Sequence, residues 1–368
     1  MQFICNQQQL LDAVNSVSRA VSPKATLGSM EGVLMKASGD RLFLAGYNLE
    51  LGITTTIPAN VTEGGELLLS ARLFGDIVRR LPGENVSLRS DEKLNVHIQS
   101  DATEFTVMGL STAEYPELPS VDNGVHVTVP QNVLHSMIRQ TLFAVAQSDA
   151  RPVHKGTLFE VEEESLRLVS VDGSRLAIRT EPIKNKETLN FVVPGTTLNE
   201  VLKLMSSEDE GLVSISVGRR HAVLEIGNYC VISRLLEGEF LPYRKAILPN
   251  ATTTVRANTR LLTGAVDRAA LVINDRIRSP LVCDFSDNGV KISCTTPLGS
   301  AFDRFDAEIS GKDENMGFNS RFLMDALKNA ESDEIKIELN GPQSPMKILP
   351  PEGDSFLFLV LPVRLSHG

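Results

Sequence analysis

Apolar positions along this chain follow two rhythms, and their alternation recurs three times. The first rhythm is helical: Leu10/Val14, Leu134/Ile138 and Leu261/Ala265 stand at i and i+4 within the segments 6–14, 130–138 and 257–266, so each pair shares one helix face. A second set begins as a short apolar strand, breaks at polar residues and continues with helical spacing. Its copies are Leu67–Val78, Phe191–Leu202 and Met316–Leu327. Aligning Asp76, Glu200 and Asp325 gives spacings of 124 and 125 residues, and Leu10, Leu134 and Leu261 give 124 and 127. A period of this kind marks an internal repeat. Six helices are predicted, over 7–20, 71–81, 131–147, 195–206, 258–272 and 319–330.

Between the helices the period drops to two or to short apolar runs. Arg41–Gly46, Ser165–Ser170 and Gly289–Cys294 read as short strands after turns. Asn95–Ile98, Val213–Val217 and Glu334–Leu339 alternate as half-buried strands do. The turn-rich stretches at 121–124 and 248–251 mark the joins. The expected fold class is therefore α+β: three tandem domains of like topology over 1–121, 125–248 and 251–368, each with two helices and β-sheets. Glu162-Glu163-Glu164 and Glu208-Asp209-Glu210 read as solvated loops.

The length of 368 residues agrees with that count, since domains run to roughly 100–200 residues. No apolar run approaches the roughly 18 residues of a membrane span. The start, Met1-Gln2-Phe3-Ile4-Cys5-Asn6, lacks the basic stretch and apolar core of a secretory signal. A cytoplasmic location is expected. Cys5, Cys230, Cys283 and Cys294 form no C-x-x-C pair and read as small buried apolar residues.

Catalytic signatures are missing. Gly311-Lys312 is followed by Asp313 and lacks the upstream glycine of a phosphate loop; Gly173-Ser174 leads into Arg175-Leu176, not a nucleophile elbow. The six histidines never pair at metal-ligand spacing. No catalytic residue, metal or cofactor is expected. Asp172 and Asp275 would be candidates for a carboxylate pair, but nothing in the sequence brings them together. Four tyrosines and no tryptophan make a poor stacking platform for single strands.

A net charge of −10 argues at face value against a nucleic-acid partner. Its distribution says otherwise. The predicted helices carry Arg19, Arg72, Arg79, Arg80, Arg139, Lys203, Arg260, Arg268, Arg321 and Lys328 against Asp12, Asp76, Glu200, Asp267 and Asp325, an excess of five positive charges. The rest of the chain then carries a net charge of −15. A positive helical surface can hold phosphates without reading bases.

Several short stretches, in order and on a triple repeat of this size, carry a family resemblance. They are Thr26-Leu27, Phe74-x-Asp76-Ile77-x-Arg79-x-Leu81-Pro82, Asp172-Gly173-Ser174-Arg175-Leu176-Ala177, Glu237-Gly238-Glu239-Phe240 with Tyr243, and Leu361-Pro362-Val363-Arg364-Leu365. The sequence resembles the bacterial sliding clamps, the β subunits of DNA polymerase III, over essentially its whole length. The resemblance implies a DNA clamp fold closing head to tail as a homodimeric ring, with helices lining the hole. It implies a non-catalytic processivity factor that encircles duplex DNA without sequence specificity. The replicative polymerase, an ATP-driven clamp loader, other polymerases and repair proteins would dock through a short apolar motif. DNA contacts are expected at Lys24, Arg72, Arg79, Arg80, Arg139, Gln147, Ser148, Arg260 and Arg321. The partner pocket is expected around Arg151, His154, Gly173, Ser174, Arg175, Leu176, Pro242, Ile247, Val360, Leu361, Pro362, Val363 and Arg364, with Arg175 and Arg364 gripping a peptide at the rim. Leu271 and Val272 should meet the partner's Phe105 and Val107. The chain departs from the family pattern at Val171, Pro152-Val153, Gly195-Thr196, the loop 241–247 and the extension Ser366-His367-Gly368. A metal-dependent nuclease and a peptide scaffold that never meets DNA are the competing classes.

Overall fold

The computed structural model describes residues 1–22, 28–122, 124–148, 151–185, 187–273, 279–286 and 289–365. Lys24, Thr26-Leu27, Asn123, Asp275 and Ser366-His367-Gly368 lie outside the described residues. Two compact units result, one of residues 1–134 with 199–235, the other of 135–198 with 236–368.

The helices are α1 (Gln7–Val17), α2 (Ala71–Arg80), α3 (Gln131–Leu142), α4 (Gly195–Leu204), α5 (Thr259–Ala270) and α6 (Ser320–Lys328). Each starts where a strand ends. At four of these junctions the last extended residue caps the helix. Asn6 accepts a hydrogen bond from the Gln9 N–H, Ser70 from Leu73, Asn258 from Leu261 and Asn319 from Arg321. An extended residue with a short side-chain oxygen turns the chain and satisfies an orphaned helix donor together.

The buried faces repeat in register. α1 buries Leu10, Ala13, Val14 and Val17; α3 buries Leu134, Met137, Ile138 and Thr141; α5 buries Leu262, Ala265, Val266 and Ala269. The expected core position Leu261 is corrected by one residue, for it is 51% exposed while Leu262 is 2% exposed. Both neighbours are leucine, and only packing of the i+3 and i+4 partners separates them. The third helix also stops five residues short of the expected 147. The Thr141 hydroxyl donates to the Met137 carbonyl at 2.9 Å, and the N–H groups of Ala144 and Val145 close tight turns onto Thr141 and Leu142. The Ala146 N–H then leaves the helix axis for the carbonyl of His154.

In the first unit a five-stranded antiparallel sheet runs Asn60–Glu63, Gln2–Asn6, Asn85–Ser90, Asn95–Ser100, Thr103–Met108. The eight-stranded sheet of that unit joins repeats: Leu51–Pro58 pairs with Tyr229–Arg234, Thr54 opposite Cys230. α1 packs on α2 beneath these strands. In the second unit a nine-stranded sheet is joined the same way. Arg175–Pro182 pairs with Phe356–Val360, Leu176 opposite Leu359. A four-stranded sheet, Gly299–Asp306, Gly289–Thr296, Leu281–Ser286, Glu314–Phe318, lies with α5 and α6 around the core of Phe285, Phe318 and Phe358. Cys5 and Cys283 are buried, and burial pushes both thiols up to about 12. Cys230 is half-buried, short of the full burial expected. Glu162 to Glu164 and Glu208 to Glu210 are exposed loops.

Candidate functional site

The first candidate surface is made of helix faces turned away from the core. In the first unit Arg72, Arg79 and Arg80 are all exposed on α2. Their charge is less free than composition implies. Asp76, one helical turn before the pair, accepts from Arg79 Nη1 at 3.2 Å and lies 3.3 Å from Arg80 Nη1. Arg79 also donates to Asn15 Oδ1 of α1 at 3.1 Å, and Arg80 to the Asp76 carbonyl at 2.8 Å. Arg72 has no carboxylate in ion-pairing reach among the described residues. A concave surface of about 610 Å³ between α1 and α2 is lined by Asn15, Ser18, Arg72, Asp76 and Arg79. In the second unit Arg139 sits 3.5 Å from Glu331, while Arg260 and Arg321 are exposed at the starts of α5 and α6. Gln147 and Ser148 are exposed beyond α3. The excess of five positive charges, already net of Asp76 and Glu200, is further offset by Glu331 and by Asp303 at 2.6 Å from Arg268.

The second candidate is a surface in the second unit, built around a hairpin tip. Asp172 folds the tip by accepting the N–H groups of Ser174 and Arg175 at 2.9 and 3.0 Å, and Gly173 has φ +86°, which favours glycine. The Leu361 N–H donates to the Ser174 carbonyl at 2.9 Å, and the Val363 N–H to the Gly317 carbonyl at 2.8 Å. Residues 360–363 therefore pass from the nine-stranded sheet to the four-stranded one, and Leu361 and Val363 remain 41% and 39% exposed. Exposed Arg151, Gly173, Pro242 and Arg364 and half-buried Ser174, Ile247 and Pro362 complete the expected set.

Four of the expected lining residues are largely covered. His154, Leu176 and Val360 are 1%, 4% and 0% exposed. His154 meets Phe240 edge-on, with centroids 5.6 Å apart. Arg175 is not a free rim cation: its Nε donates to Asp172 Oδ2 at 2.9 Å and its Nη1 to Asp325 of α6, with the guanidinium over Phe322 and Phe143. Sequence reasoning missed Phe143, Phe322 and Asp325, because nothing local in the sequence ties them to residue 175.

It also missed a neighbouring cavity of about 460 Å³, floored by Leu158, Phe191, Phe240 and Tyr243 and edged by Pro242 and Lys245. Beside it, buried Glu160 accepts from Tyr243 Oη at 2.6 Å, Arg244 at 2.9 Å and Arg167 at 3.1 Å. Burial first, and the bond to Glu160 second, push the Tyr243 phenol up to about 12.

Thr103–Met108 is a terminal strand of the five-stranded sheet and Gly299–Asp306 a terminal strand of the four-stranded one. Phe105 and Val107 are half-buried on the first edge. Leu271, just past α5, is 81% exposed, whereas Val272 packs on the core of its own unit. Among the described residues no group of three or more His, Cys, Asp or Glu is placed to hold a metal. Among the described residues no helix is long and apolar enough to cross a membrane.

Repeated strand-to-helix units with arginines exposed on their helices are the make-up of a DNA clamp, and the family matches place the chain in that class. The three parts match, in order, the N-terminal, central and C-terminal domains of the DNA polymerase III beta subunit, over residues 1–119, 128–242 and 245–364. The beta sliding clamps of Staphylococcus epidermidis and Staphylococcus aureus are each 31% identical over 375 residues, covering 99% of both chains. The solved sliding clamp of Bacillus subtilis superposes with a TM-score of 0.96 at 29% identity, covering 99% of both chains. The β subunit of Streptococcus pyogenes gives 0.94 at 25%, covering 99% of this chain and 100% of its own. The chain belongs to the DNA polymerase III beta subunit family, the beta sliding clamps. It has three tandem α+β clamp domains and acts in DNA replication as a polymerase processivity factor, a non-catalytic subunit of the holoenzyme.

Proposed function

We propose that two copies close head to tail into a ring in the cytoplasm, encircle duplex DNA and tether partner proteins through the surface at 173–174 and 361–364. The domains would run over 1–121, 125–248 and 251–368. The observation that carries this reading is the exposure of Arg72, Arg79, Arg80, Arg139, Arg260 and Arg321 on helix faces whose opposite sides form the repeated core. Lys24, Gln147 and Ser148 would add contacts. Such contacts grip phosphates interchangeably, so they hold DNA without fixing position. The terminal strands at 103–108 and 299–306 would pair across the joints, which removes unprotected strands from solution. Leu271 and Val272 would pack against the partner's Phe105 and Val107.

On that surface, exposed Leu361 and Val363 offer a dry patch for an apolar anchor, and Arg364 a charged rim. The replicative polymerase, the ATP-driven loader, other polymerases and repair proteins would compete for it. Retention on circular but not linear DNA after loading tests the reading, since only a topological tether escapes at ends. Equal retention on both would overturn it. Deleting residues 363–368 should abolish polymerase and loader binding while leaving the dimer folded, and deleting only 366–368 should change little.

A further inference from the structure

We infer that Arg175 is a positioning residue, a buried strut that fixes the partner surface to helix α6 and does not itself touch the partner. Resting on the partner-surface reading above, this assigns a role in partner recognition to Asp325, which lies on α6 and outside the expected lining. The Arg175 side chain is 9% exposed, and both sides of its guanidinium fork are in use. One nitrogen holds Asp172, the residue that folds the hairpin tip, at 2.9 Å; another holds Asp325. The flat face lies 4.6 Å from the centroid of Phe322, also on α6. A guanidinium placed between two carboxylates and an aromatic ring has a single orientation.

The partner surface depends on that orientation through the backbone. The tip carbonyl of Ser174 accepts the Leu361 N–H, and Arg175 pairs with Val360 in the sheet. A shift of the tip relative to α6 therefore displaces exposed Leu361. A buried charge that loses one of two partners is strongly destabilised, so the tip should relax when Asp325 is neutralised.

The test uses the full-length protein, with Asp325→Asn, Arg175→Lys and the double variant, and the cognate replicative polymerase as probe. Each single variant should weaken polymerase binding by about tenfold, and the double variant no more than either, as expected of residues acting as one unit. Amide exchange at Leu361 should rise in both singles. If Asp325→Asn leaves affinity unchanged while Arg175→Lys weakens it, Arg175 contacts the partner directly and the inference fails. Additive effects, or unchanged exchange at Leu361, also overturn it. Deletion of residues 363–368, run in parallel, reports on the surface itself: loss of binding there with unchanged point variants defeats the strut alone.

Discussion

Leu271→Ala offers the cleanest test of ring closure, because the leucine contributes almost nothing to its own protomer. Being 81% exposed, it keeps nearly all its hydrophobic transfer energy for association. Full burial of a leucine side chain is worth about 1.5–3 kcal/mol. Truncation to alanine should therefore remove about 1.5 kcal/mol from each joint. A closed ring has two such joints, so the dimer should lose about 3 kcal/mol, raising its dissociation constant about 150-fold. Val272 is a poorer probe, since its side chain packs on the core around Phe285 and its loss would also weaken the fold. Sedimentation equilibrium across a dilution series reads the dissociation constant, and thermal melting of the same samples checks the protomer. A dimer as tight as the parent, with Leu271 truncated, would refute the joint at this surface.

Three further outcomes follow from other parts of the structure. Arg72→Ala should flatten the dependence of the log binding constant on log salt by about 0.9 per protomer, whereas Asp76→Asn, which releases both Arg79 and Arg80, should steepen it; equilibrium binding to a short linear duplex across a salt series measures both. Tyr243 stays protonated to about 12 in the fold but ionises near 10 when unfolded, so its stabilisation is complete below pH 10 and is lost as pH rises toward 12. Urea unfolding at about pH 9 and about pH 11.5 should show a steeper alkaline loss for the parent than for Tyr243→Phe; equal losses would contradict the raised ionisation of this phenol in the fold. Leu262→Ala should cost about 2–5 kcal/mol and Leu261→Ala less than about 0.5, by chemical denaturation.

Much of this architecture was written into spacing. Six helices were legible because each follows a strand and carries apolar residues on one face, as Leu10, Ala13, Val14 and Val17 do. What spacing could not settle was the choice between adjacent leucines at 261 and 262, or the early end of α3, where a threonine hydroxyl competes for backbone carbonyls. The candidate surfaces divided along similar lines. Exposure of Arg72 and Arg260 follows directly from which helix face is apolar. The neutralising partners do not, since Arg139 meets Glu331 and Glu160 meets Arg244 across long stretches of chain. Arg175 shows the same limit, for a motif position says that an arginine is present but not which carboxylates hold it.

The two sheet seams, Leu51–Pro58 against Tyr229–Arg234 and Arg175–Pro182 against Phe356–Val360, also govern how the chain reaches its native state. Each joins segments roughly 180 residues apart, so each imposes a large loop-closure entropy before any pairing rewards it. Local hairpins such as Arg41–Tyr47 with Leu51–Pro58 should form early and wait. During that wait the strands 51–58 and 175–182 present open edges to any other chain in solution. Refolding yield should therefore fall with protein concentration, and the slowest step should be the arrival of these distant partners rather than the formation of any helix.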